Sequence, residues 1–136
     1  MSEEAFAVSS EATTQGLRIQ VWSRYSAEHS DPQHGQWFFL YTIRIANIGD
    51  QTVQLMTRSW TITDATGRVE EVQGPGVVGE QPLLEPGDDF EYTSGCPLPT
   101  PFGSMEGTFQ MAVEGEDSGF DAEVACFELR EPRAVH

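Results

Sequence analysis

Gly74-Pro75-Gly76-Val77-Val78-Gly79, followed by Glu80-Gln81-Pro82-Leu83-Leu84-Glu85-Pro86-Gly87, decides between two folds. The first six residues have the GxGxxG spacing of a dinucleotide fingerprint. That fingerprint needs a buried strand before it and a helix after it, whose N-terminus holds the pyrophosphate. The residues that follow forbid such a helix. Pro82 can occupy a first helical turn, but Pro86-Gly87 ends the helix almost at once. No acidic residue about 20 positions on is presented by a second parallel strand. The string is therefore a loop on another scaffold.

The flanking residues say which scaffold. On the N-terminal side, Val53 to Thr63 alternates, with Val53, Leu55, Thr57, Ser59, Thr61 and Thr63 on one face and Gln54, Met56, Arg58, Trp60 and Ile62 on the other. Asp64-Ala65-Thr66-Gly67 turns this strand into Arg68–Val72, so residues 53–72 read as a hairpin. Further out, Leu17, Ile19 and Val21 have the period of a half-buried strand. Trp37–Ile45 is aromatic and β-branched almost throughout, the strongest strand in the chain. Beyond the glycine string, Phe90–Ser94, Met105–Val113 and Phe120–Leu129 alternate, the last with Ala122, Val124, Cys126 and Glu128 opposite Glu123, Ala125, Phe127 and Leu129. Residues 95–103 carry Pro97, Pro99 and Pro101, which exclude helix and central strand. The sum is an all-β, fibronectin type III- or immunoglobulin-like β-sandwich of about seven antiparallel strands.

The length of 136 residues suits one domain. Its expected bounds are 16–130, with a flexible tail over 1–15 and a short C-terminal tail over 131–136. The formal net charge is −15, and all seven basic residues are arginines. A surface of that sign repels nucleic acids and anionic membranes, so neither is an expected partner. No apolar run approaches membrane-span length, and Met1-Ser2-Glu3-Glu4-Ala5 lacks the features of a signal peptide, which predicts a cytoplasmic protein. Cys96 and Cys126 are expected as unpaired, half-buried packing residues.

Three segments resemble the ApaG family: Arg58–Asp64 with its turn through Gly67; Val69–Pro82; and Leu84–Gly87 with Tyr92–Leu98 and Gly103–Gly107. The resemblance they carry is taken to cover roughly residues 16–130. The resemblance implies a small fibronectin-III-like sandwich. It further implies the link of bacterial relatives to cobalt resistance and magnesium efflux, and the interaction-module role of relatives in F-box and polymerase-associated proteins. It implies no enzymatic activity and no cofactor.

Candidate sites follow from the residues. Closely spaced glycines let successive N–H groups face one concavity, which suits an anion such as pyrophosphate, so Gly74, Gly76 and Gly79 with Arg58 form a candidate anion loop. The competing reading is that the glycines serve backbone geometry alone, and Pro75 removes one donor. Arg58 and Trp60 share a strand face, either as a ligand anchor or as a structural cation over an aromatic. Trp60, Leu98 and Phe102 are candidate contacts for a protein partner, the last two exposed on a proline-stiffened loop. Phe102 alternatively plugs the end of the core. His29, Asp31 and His34 have metal-ligand chemistry, but their setting is that of a polar surface loop, and no metal is assigned to them. No catalytic set stands out. A non-enzymatic binding domain is the leading expectation, with phosphate or nucleotide-like binding at Gly74–Gly79 as the alternative.

Overall fold

A computed structural model describes residues 8–132. Of the expected tails over 1–15 and 131–136, residues 1–7 and 133–136 lie outside the described residues. Nine strands run in the order β1 (Ser10–Thr14), β2 (Leu17–Tyr25), β3 (Trp37–Asn47), β4 (Val53–Asp64), β5 (Val69–Pro75), β6 (Leu83–Leu84), β7 (Asp89–Leu98), β8 (Phe102–Val113) and β9 (Phe120–Arg130). All pairings are antiparallel. One sheet has the order β1-β2-β3-β7, and the other β5-β4-β8-β9 with β6 paired on β4. The seven strands read from the sequence are all present. The two additions are short, and β1 occupies residues that the sequence places in a tail.

The core is the set of inward residues of the two sheets. Phe39, Tyr41, Ile43 and Ile45 of β3 meet Leu55 and Trp60 of β4, Phe109 of β8 and Phe127 of β9. Trp60 is 4% exposed and stands at the centre, with its ring 5.8–6.2 Å from those of Tyr41, Phe109 and Phe127. Offset and edge-on aromatic contacts of this kind add to the burial that holds two sheets together.

Two β-bulges correct the face assignments made from alternation. In β4 the register against β8 shifts between Leu55 and Thr57. Met56 is the extra residue, so Val53 and Leu55 face inward before it and Trp60 faces inward after it. In β9 the register shifts opposite Met105/Gly107. Ala122 and Val124 are buried before the shift, and Phe127 and Leu129 after it, while Cys126 is exposed. A bulge inserts one residue without breaking the strand, and every later side chain changes face.

β7 also runs further than expected. Gly95-Cys96-Pro97-Leu98 continues it, paired with Trp37–Leu40. β7 is an edge strand, so the missing N–H of Pro97 costs no ladder bond. The two sides of the sandwich differ. On one, Ser10 Oγ donates to the Ala125 carbonyl (2.8 Å), Ser23 Oγ donates to the Glu128 carbonyl (2.8 Å), and the Glu123 N–H donates to Thr14 Oγ1 (3.1 Å). These hydroxyls seam β1 and β2 to β9. On the other side no hydrogen bond joins β7 to β5 among the described residues, and a cleft opens between them.

Candidate functional site

The Met56 bulge builds this cleft. The Met56 carbonyl, one step beyond the Thr57/Pro75 pair of β4 and β5, accepts from the Gly76 N–H (2.9 Å) and from Gln81 Nε2 (2.9 Å). The glycine loop is thereby hung on β4. Within the loop, Val77 and Glu80 exchange backbone bonds of 2.8 and 2.9 Å around Val78-Gly79. Val78 and Gly79 have φ of 44° and 80°, the signs of a type I′ turn, whose central positions suit Asn and Gly. A β-branched residue at positive φ is strained. Val77 is 1% exposed and anchors the turn in the core, while Val78 is 52% exposed.

The same bulge turns Arg58 toward the interior. Its Nη1 donates to the carbonyls of Pro75 (2.9 Å) and Gly76 (2.8 Å). A Cβ on Gly74 would stand 3.2 Å from both terminal guanidinium nitrogens, so that position admits only glycine without displacing Arg58. Gly76 has positive φ, and a side chain there would run into the Glu80 carbonyl. The string's glycines thus serve geometry. The N–H groups of Gly76, Val77 and Glu80 are spent inside the protein, and the Pro75 and Gly76 carbonyls of the loop face Arg58.

Across the cleft, Tyr41 of β3 and Tyr92 and Ser94 of β7 complete a lining shared with Arg58, Trp60, Pro75 and Val77–Gly79. The volume is about 420 Å³, within the range of small-ligand sites. Tyr92 is 7% exposed, and its buried hydroxyl has no hydrogen-bond partner. Burial pushes its pKa well above the usual phenol value; the neighbouring Tyr41 adds to this and Arg58 opposes it. Burial also raises Tyr41, against the lowering effect of its hydrogen bond with Ser94. Both phenols are therefore neutral donors at physiological pH. No carboxylate forms an ion pair with Arg58 among the described residues, and its hydrogen bonds within the protein run from Nη1, which leaves Nε and Nη2 open to the cleft.

The other candidates fall elsewhere. Trp60 lines the cleft but is 4% exposed, held in the aromatic core. Leu98 is 4% exposed, which corrects its expected exposure: extending β7 carries it into the core. Phe102 is half-buried at the start of β8. Asp31 Oδ2 accepts from His34 Nδ1 (2.7 Å), His29 Nδ1 shares a hydrogen bond with Ser26 Oγ (2.7 Å), and no group of three metal-ligand side chains converges among the described residues. The burial of Cys96, with Glu70 adding to the effect, pushes its thiol up to about 12, which makes it inert. Tyr41, Tyr92 and Ser94 were absent from the sequence candidates. Their place in the cleft depends on the pairing of β3 with β7, which sets Tyr41 opposite Ser94 and Ile43 opposite Tyr92.

Two facing antiparallel sheets, seamed on one side and cleft on the other, define a small β-sandwich with a side-opening polar pocket. The chain belongs to the ApaG family: the family model described as "DUF525: ApaG domain" matches residues 27–113. Protein ApaG of Bordetella pertussis is 51% identical over 120 residues, covering 88% of this chain and 91% of that protein. Protein ApaG of Paramagnetospirillum magneticum is 52% identical over 120 residues, covering 88% and 92%. A crystal structure of a Bordetella pertussis protein superposes with a TM-score of 0.82 at 48% identity, covering 94% of this chain and all of that one. No helix among the described residues is long and apolar enough to cross a membrane.

Proposed function

We propose that this chain is a non-enzymatic binding domain that engages a protein partner at the Arg58 cleft, on the open side of its sandwich. One observation carries the reading: a guanidinium held in place by two carbonyls and paired with no carboxylate faces a cleft, in a chain of 22 acidic residues. A charge kept free amid so many counter-ions is positioned for something outside the chain. The cleft lining holds no histidine, cysteine or carboxylate, so it supplies neither a general base nor an activated nucleophile. In this reading, the divalent-cation homeostasis implied by the family resemblance runs through the bound partner.

The test is capture by immobilised protein from a lysate of the source cells. Wild type is compared with Arg58→Glu and with Glu123→Gln on the seamed side, each checked for folding by its amide spectrum. A partner retained by wild type and Glu123→Gln but lost from Arg58→Glu is expected. The same proteins on all three supports would refute the assignment.

A further inference from the structure

Tyr92 lines the cleft, and its hydroxyl is buried without a hydrogen-bond partner. A buried polar group without a partner is destabilising, and native proteins seldom keep one without a reason. Here it belongs to a residue that lines a cleft together with a guanidinium whose Nε and Nη2 are uncommitted. Both groups are donors in want of an acceptor. We infer that the cleft binds a carboxylate, which takes the open face of Arg58 and completes the hydrogen bond of Tyr92. This rests on the binding role proposed above and names the chemistry that the cleft recognises.

The choice of a carboxylate over a phosphate follows from charge and shape. The cleft offers one positive charge. Glu80 closes the turn beside it, and Glu70 and Glu71 lie on the neighbouring strand β5. Phosphate esters carry close to two negative charges at neutral pH, and a pyrophosphate carries more; each charge beyond the first meets repulsion from a −15 chain. The loop carbonyls of Pro75 and Gly76 are turned toward Arg58, and further anionic oxygens there would meet them oxygen to oxygen. A carboxylate is monovalent and planar, and it matches the flat fork of a guanidinium. Pro75, Val77 and Val78 supply apolar lining suited to the carbon group that bears it. Two sources share this chemistry: a small aliphatic acid, and the free C-terminus of a partner chain.

Titration followed by amide and indole NMR separates them. The probes are isovalerate, a short peptide with a free C-terminus, the same peptide amidated, inorganic phosphate and pyrophosphate. Saturable shifts of the Trp60 indole and of the Val77–Gly79 amides are expected with the carboxylates and not with the amidated peptide. Shifts with isovalerate point to a free acid; shifts with the free-ended peptide alone point to a chain terminus. Arg58→Gln should abolish the shifts. Tyr92→Phe should weaken binding roughly tenfold, the loss of one hydrogen bond to a charged group, while the protein stays folded. Equal binding of the amidated peptide, or unchanged affinity in Tyr92→Phe, would overturn the inference. Tighter binding of phosphate or pyrophosphate would overturn the carboxylate assignment and leave a binding cleft in place. No response to any anion would overturn the inference alone, because capture that depends on Arg58 is measured separately.

Discussion

Replacing Tyr92 by Phe removes one oxygen atom and separates structure from function in this cleft. In most buried sites the loss of a tyrosine hydroxyl destabilises, because the partner left behind is itself unsatisfied. Tyr92 has no partner to leave. An unsatisfied buried hydroxyl costs about 1–3 kcal/mol, and its removal recovers part of that, offset by a void smaller than a methyl group. The expected outcome is a stabilisation of about 1 kcal/mol, or a rise in Tm of roughly 4 °C for a domain of this length. Urea denaturation at unchanged m-value checks it. Tyr41→Phe is the contrast: its hydroxyl is hydrogen bonded to Ser94, so its loss should cost about 1 kcal/mol. If Tyr92→Phe instead destabilises by a kcal/mol or more, the hydroxyl has a partner in solution, and both the vacancy and the ligand built on it fall.

Alkaline stability supplies a second test. Tyr92, Tyr41 and Cys96 hold their protons more tightly when folded than when unfolded. Above the unfolded pKa the unfolded state binds fewer protons than the native one, so stability falls as pH rises. For Cys96 this contribution is intact below about pH 9 and is lost as pH rises toward about 12; Cys96→Ala should flatten the decline, read as urea midpoints across that range. Val78→Asn relieves a β-branched residue at φ 44° and should stabilise by about 1 kcal/mol; an equal loss would show that the turn depends on the valine side chain. Starting the chain at Gly16 removes β1 and two of the three seam bonds. It should cost at least about 2 kcal/mol, and an unchanged denaturation midpoint would show that β1 is dispensable.

The fold was legible in the chain because turn chemistry and alternation agree: Asp64–Gly67 closes a hairpin, Trp37–Ile45 can only be a covered strand, and Pro82 and Pro86 bar the helix that a dinucleotide site requires. The short strands were not legible. β1 lies in a small, polar sequence and owes its place to seam hydroxyls from Ser10 and Thr14, and β6 has two residues. Neither has enough apolar periodicity to announce itself.

The site escaped for one further reason, and it was written in the spacing. Strict alternation puts inward residues an even number of positions apart. Leu55 and Trp60 are five apart and Val124 and Phe127 three apart, yet all four are buried. An odd interval between large apolar residues within one strand is the mark of a bulge. At Met56 that bulge sends Arg58 and Trp60 inward, next to a Met56 carbonyl that holds the glycine loop through Gly76 and Gln81. The GxGxxG spacing is the consequence. Gly74 makes room for the guanidinium, Gly76 passes the Glu80 carbonyl, and Gly79 completes the turn. The string thus belongs to the arginine: its glycines shape the loop whose carbonyls hold the guanidinium.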